Sequence, residues 1–309
     1  MTAALVQRLE AELATPAPPA VQALAAALAD PSRDAAILYY GSTLRTGDLS
    51  GVLDFYRLTR APHRKGFHGL VERLLWPEVS YHEIAIEGRT LRAKVATLPL
   101  ATFHRAAEGR TLDTTIWARF VQPTQLVWSA GPAQGRAAAE ACAAAVVTAA
   151  RYAAKLGPGR APPAAFWTAL FRHTYAAEFR LEAAGRPDQV MAAAAQRYVE
   201  LLPLAWEAGG VDFVVQDGEV APTRRGLPGW TLRNLAGKPL NIARLAKAAF
   251  TFEGAARYAA WKIARHTGVE IPVTPFRERH PILAAPGAWL QLRRRQAEAR
   301  RGRFSSPKS

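Results

Sequence analysis

Apolar side chains recur at helical spacing over residues 3–30, and the stretch "TPAPP" near 15–19 interrupts the run. Two short apolar runs rich in branched and aromatic residues follow at 36–41 and 52–58. A loop rich in Gly, Ser, Thr and Asp separates them, and both predict strands. "GFHGLVERLL" predicts a short amphipathic helix. "YHEIAIEGRTLRAKVATL" alternates apolar and polar positions around "EGR", which predicts a hairpin. From about residue 97 the period turns helical. Residues 97–108, 111–122, 133–156, 162–184 and 186–208 each predict a helix, punctuated by "EGR", "SAGP", "LGPGRAPP" and "GRP". Residues 209–237 are looser, and 240–267 predict one long basic helix ahead of a polar tail. The layout predicts an α+β protein. A small α/β unit spans 1–125, a mostly helical domain 126–237, and a basic helix and tail 238–309.

Half of the 309 residues are hydrophobic, enough for a sizeable core. The formal charge of +15 favours anionic partners: nucleic acid, nucleotides or an anionic membrane surface. No nucleic-acid-binding motif accompanies the charge, so nucleic acid is the weakest of the three. The single cysteine, Cys142, excludes an intramolecular disulfide framework and a cysteine zinc site, which fits a reducing cytoplasm. The opening "MTAALVQRLEAELATPAPPA" lacks the layout of a signal peptide. The longest apolar stretch, "AAAEACAAAVVTAARYAA", is mostly alanine and carries Glu140 and Arg151. It predicts a buried helix, since a membrane span needs about 20 strongly apolar residues. A soluble or peripheral protein is expected.

Candidate chemistry sits in "ILYYGSTLRTGDLSGVLDFYRL", residues 37–58. The first apolar run breaks at Gly41-Ser42, and the second carries a lone acid, Asp54. A strand, Gly-Ser, a loop and an acidic strand resemble the outline of the DNA polymerase β type of nucleotidyltransferase. Glycine has no Cβ, so backbone N–H groups at such a turn can approach triphosphate oxygens closely. Carboxylates on the next strand hold Mg²⁺, which bridges phosphates and stabilises the transferring group. That superfamily places two acids one residue apart. Here Val52 and Tyr56 occupy the positions on either side of Asp54, leaving Asp48, Glu83 and Glu87 as sources of further oxygen ligands. On the residues alone, "YYGST" also reads as an ordinary turn with Asp54 as a partly exposed strand residue.

A longer set of motifs narrows the reading. Tyr40-Gly41-Ser42, Asp54-Phe55, Lys94, Arg119 ahead of Pro123, and Tyr175, Glu178, Phe179 and Arg180 in "FRHTYAAEFRLE" follow one another in order. Across residues 37–205 this order resembles the mitochondrial-type phosphatidate cytidylyltransferases, the translocator assembly and maintenance family. Two features depart from that pattern: "HRKGFH" replaces a Trp-His pair, and "VSYHEI" stands for an aromatic-rich hairpin stretch. The resemblance implies an N-terminal polymerase-β-like nucleotidyltransferase domain followed by a mostly helical domain. It implies a reaction in which CTP and phosphatidate give CDP-diacylglycerol and pyrophosphate with Mg²⁺. It implies catalytic roles for Asp54 and Lys94, with Asp54 and Asp48 at the metal. Tyr40, Gly41 and Ser42 would bind nucleotide, and Arg119, Tyr175, Glu178 and Arg180 would contact substrate phosphate. Read without the resemblance, Lys94 is a solvated strand lysine, Asp48 a loop cap, and Tyr175, Glu178 and Arg180 part of a helix-surface network. His63 and His68 read as surface residues.

The C-terminal helix mixes Ile242, Leu245, Phe252, Tyr258 and Trp261 with Arg244, Lys247, Arg257, Lys262 and Arg265. Such a helix lies in the headgroup plane of an anionic membrane or packs on the protein's own core. The first alternative implies a cytoplasmic protein held peripherally on the inner membrane face. A chain ending near residue 238 would then lose the membrane and keep nucleotide binding. Two other functions stay open: nucleotidyl transfer to a different phosphorylated or hydroxyl acceptor, and a non-catalytic basic adaptor for membrane or nucleic acid.

Overall fold

The computed structural model describes residues 2–61, 75–177, 186–223, 229–280, 283–284, 287, 289–291 and 293. Helices α1 (Ala3–Leu13) and α2 (Pro19–Leu28) lead into strand β1 (Asp34–Tyr40). A short helix α3 (Ser42–Thr46) follows, then β2 (Val52–Thr59) and the hairpin β3 (Glu78–Ile86) and β4 (Arg89–Pro99). Helices α4 (Leu100–Ala107) and α5 (Thr115–Phe120) precede β5 (Thr124–Ser129). Next come α6 (Pro132–Leu156), α7 (Pro163–Ala177), α8 (Arg186–Ala192) and α9 (Ala195–Gly209). A small hairpin, β6 (Phe213–Gln216) and β7 (Glu219–Pro222), is followed by α10 (Trp230–Thr251), α11 (Ala255–Thr267) and α12 (Pro275–Arg279).

The protein is mixed α/β. Its main sheet runs β3-β4-β2-β1-β5, with β2 and β4 parallel and the other neighbours antiparallel. Strand alternation gives the sheet two different faces. Ile37, Tyr39, Leu53, Phe55, Ala93 and Val95 pack under α2, which offers Val21, Leu24 and Leu28 at helical spacing. The other face carries Ala36, Leu38, Tyr56, Leu58, Ala96 and Leu98 and joins the larger core beneath the helices. That core is built around α6, which touches α1, α4, α5, α7 and α9. Its buried face is almost all alanine (Ala138, Ala141, Ala145, Ala149), so neighbouring helices approach closely.

Several elements differ from the sequence expectation. β5 pairs with β1 over Thr124–Ser129, so the sheet draws on residues on both sides of position 125. β6 and β7 occupy part of the stretch expected to be loose. The basic region at 240–267 is two helices, broken between Phe252 and Gly254. There the chain docks on the sheet edge: the Tyr81 N–H donates to the Glu253 carbonyl at 2.8 Å. Gly254 has φ +78°, and a Cβ on it would stand 2.6 Å from the Tyr81 carbonyl oxygen, so glycine is required by both conformation and space. The helix expected in "GFHGLVERLL", with His63 and His68 beside it, lies outside the described residues.

Candidate functional site

One row of paired residues crosses the sheet. Tyr40 pairs with Asp54, Asp54 lies beside Lys94 in parallel register, and Lys94 pairs with Tyr81. By alternation Tyr40, Asp54 and Lys94 share the face of Tyr56 and Leu58. Phe120 and Phe103 cover that face toward the middle of the strands, with Phe120 5.0 Å from Tyr56 and 5.7 Å from Tyr40, centroid to centroid. Past this aromatic cover, at the Asp54 end, the face opens into a cavity of about 530 Å³.

Gly41 closes the turn over this floor. Its φ is +98°, and a Cβ there would lie 2.9 Å from Asp54 Oδ2. The chain can therefore pass this close to the carboxylate only as glycine. Val52, two residues before Asp54 on the same face, also lines the cavity, so an apolar group stands where the polymerase-β pattern has its second acid. Tyr56, two residues after, is buried, and its hydroxyl accepts a hydrogen bond from Arg119 Nη1 at 2.7 Å. The Arg119 guanidinium also lies over Tyr40, 5.5 Å from its ring centre, so α5 presents a held cation to the cavity.

Asp48 lines the rim of the same cavity. Hydrogen bonds from the Ser50 hydroxyl and N–H hold its carboxyl below the ordinary range, and Arg265 adds a further lowering. Arg265 Nη2 stands 3.8 Å from Asp48 Oδ2, and Nη1 donates to the Ser50 carbonyl at 2.9 Å. Glu83 and Glu87 are absent from the lining. Glu83 pairs with Arg92 at 3.3 Å and accepts from the Tyr81 hydroxyl at 2.9 Å, while Glu87 sits at the hairpin tip with φ +48°. Of the carboxylates weighed as extra metal ligands, only Asp48 reaches the cavity.

The predicted residues Tyr40, Gly41, Ser42, Asp48, Asp54, Lys94, Arg119 and Tyr175 all line this one cavity. Glu178 and Arg180 lie outside the described residues. Sequence reasoning missed a second wall. Tyr258, Trp261, Lys262 and Arg265 on α11 line it too, at spacings of three, four and seven residues that put them on one helical face. That spacing is the available signal, and in the sequence it suits a membrane-facing stripe or a face packed on the protein's own core. Burial, with the nearby Asp54 carboxylate as a second cause, pushes the Tyr258 hydroxyl above its ordinary value. A chain ending near residue 238 would therefore lose one wall of the cavity rather than leave it intact.

Among the described lining residues five are basic (Arg45, Lys94, Arg119, Lys262, Arg265) and two acidic (Asp48, Asp54). A concave site with that balance concentrates multiply charged anions. Asp54 on the floor and Asp48 on the rim are the carboxylates of the lining, and Mg²⁺ takes one or two protein carboxylates with water and substrate phosphates; among the described residues no group of three or more His, Cys, Asp or Glu gathers as a metal cluster. No known protein family matches the chain, and no curated protein matches it either.

Proposed function

We propose that the protein is a Mg²⁺-dependent nucleotidyltransferase that makes CDP-diacylglycerol from CTP and phosphatidate, working peripherally at an anionic membrane surface on the cytoplasmic side. One observation carries the nucleotidyl-transfer reading: Asp54 and Lys94 stand in adjacent register under the Gly41 turn, in a cavity lined by five cations. CTP and phosphatidate are chosen by the family resemblance. Exposed Leu235, Ile242 and Leu245 beside exposed Lys238 on α10 support a lipid acceptor over a soluble one.

In this reading a phosphate oxygen of phosphatidate attacks the α-phosphorus of CTP. The new P–O bond forms as the bond to the β-phosphate bridging oxygen breaks, and pyrophosphate leaves with that electron pair. The attacking oxygen is already anionic, so positioning and charge neutralisation carry the catalysis rather than a general base. Asp54, with Asp48, would hold Mg²⁺, which supplies Lewis-acid stabilisation of the phosphates when bound. Lys94 places a point charge beside that carboxylate, and Arg119, held on Tyr56 and Tyr40, adds a second cation. The Gly41 turn admits phosphate oxygens to the floor.

Thermal melting tests the nucleotide half of this reading. A ligand at about 100 times its Kd adds ~2.7 kcal/mol, so CTP with Mg²⁺ should raise Tm by several degrees and Asp54→Ala should abolish the rise. Stabilisation by another nucleotide in place of CTP would redirect the substrate. No stabilisation by any nucleoside triphosphate would overturn the reading.

A further inference from the structure

We propose that α11 is a phosphate-binding wall, with Lys262 and Arg265 contributing directly to the binding of a polyphosphate chain in the Gly41–Asp54 cavity. This rests on the reading of that cavity as a nucleotide site and adds residues from the last quarter of the chain, which no motif of the sequence pointed to. Three observations carry it. Both cations line the cavity that holds Asp54 and Lys94 on its floor. The wall is anchored at two points: Tyr81 N–H to the Glu253 carbonyl at its start, and Arg265 to the Ser50 carbonyl near its end. Their aromatic supports are also fixed. Trp261 lies under both Arg265 and Arg92, at 5.3 and 5.6 Å, and Lys262 Nζ stands 5.8 Å from the Tyr258 ring centre.

Arg265 spans the cavity mouth to Asp48 in a contact 42% and 53% exposed at its two ends, so the pair is weakly held. A polyphosphate oxygen is a stronger partner for the guanidinium than this solvated carboxylate at 3.8 Å. On binding, Arg265 keeps Nη1 on the Ser50 carbonyl while Nη2 exchanges Asp48 for phosphate, and Asp48 becomes available to the metal that accompanies the nucleotide. Arg257 is the internal comparison. It sits on the same helix but pairs with Glu278 at 2.9 Å and faces a different groove.

The test is isothermal titration of the full chain with inorganic tripolyphosphate and, separately, with CTP, each with Mg²⁺. Lys262→Ala and Arg265→Ala should each weaken tripolyphosphate about 3- to 10-fold, as expected for partly exposed cations against a multivalent anion. The double variant should weaken it further, Lys262→Arg should restore it, and Arg257→Ala should leave it within about twofold. Circular dichroism and Tm of each variant establish that the fold persists. Wild-type affinity in the folded double variant would overturn the wall and leave the nucleotide reading standing. Tripolyphosphate binding that depends on Lys262 and Arg265, without CTP binding, would support the wall and overturn the nucleotide reading. A wild-type chain that binds neither ligand would overturn both.

Discussion

At Gly41 the φ of +98° and ψ of −159° lie in a region open essentially to glycine, and a Cβ would stand 2.9 Å from Asp54 Oδ2. Gly41→Ala therefore costs about 1–3 kcal/mol of backbone strain and displaces the carboxylate at the centre of the floor. Turnover should fall at least 100-fold, while Ser42→Ala, which removes one hydroxyl, should cost no more than about tenfold. Equal effects of the two substitutions on purified, folded protein would remove the turn from the site. Asp34 tests the electrostatics of the sheet's far end. Its side chain is 1% exposed, accepts from the Asp30 N–H at 2.8 Å, and has Arg57 Nε 3.6 Å away. Burial outweighs those partners and raises its carboxyl above the ordinary value. The folded state thus prefers the protonated form, so the stabilising contribution is complete below the unfolded value near 3.9 and fades as pH rises through the folded one. Asp34→Asn keeps an acceptor for Asp30 and does not titrate. Its Tm relative to wild type should climb between pH 4 and pH 7, and a constant or falling difference would contradict this account.

The junction between α10 and α11 decides whether the cavity has its second wall. Gly254→Val drives a side chain into the Tyr81 carbonyl and should lift α11 from the edge of β3. CTP affinity should drop at least tenfold while far-UV circular dichroism stays near that of wild type. Unchanged affinity in a well-folded variant would mean that α11 does not serve the site. This junction was also where the sequence was hardest to read, because apolar and basic residues keep helical spacing across 252–254 and conceal the break. β5 escaped notice for a related reason. Leu126, Val127 and Trp128 are consecutive and all half-buried at a sheet edge, so the period of two that marks a strand is missing. The β6–β7 hairpin did carry a signal in Asp217-Gly218, a turn pair between short apolar runs. By contrast β1, β2 and the β3–β4 hairpin were legible, because one or both faces are buried and the alternation or apolar run is clean. The floor residues were legible with them, since a carboxylate in an apolar strand after Gly-Ser is conspicuous. The wall was not, since one helical face of aromatic and basic residues suits a headgroup plane, the protein's own core and the lining of a basic cavity equally well.

At the scale of the whole molecule the chain carries a formal charge of +15, and two of its described regions bear on the reaction. Five basic side chains line the cavity, and α10 exposes Leu232, Leu235, Ile242 and Leu245 around Lys238, while its Arg233, Arg244 and Lys247 are hydrogen-bonded within the protein. Among the described residues no helix is long and apolar enough to cross a membrane, so contact with a lipid acceptor would be made from the surface. The central claim joins these two regions in one reaction, and a single assay addresses it. The full chain is incubated with CTP labelled at the α-phosphate, Mg²⁺ and vesicles containing phosphatidate, and the extracted lipid is resolved by chromatography. Label should appear in a lipid that comigrates with CDP-diacylglycerol, with one pyrophosphate released per lipid labelled, and Asp54→Ala should reduce it to background. Absence of label from the lipid, with wild-type protein folded and vesicle-bound, would contradict the account.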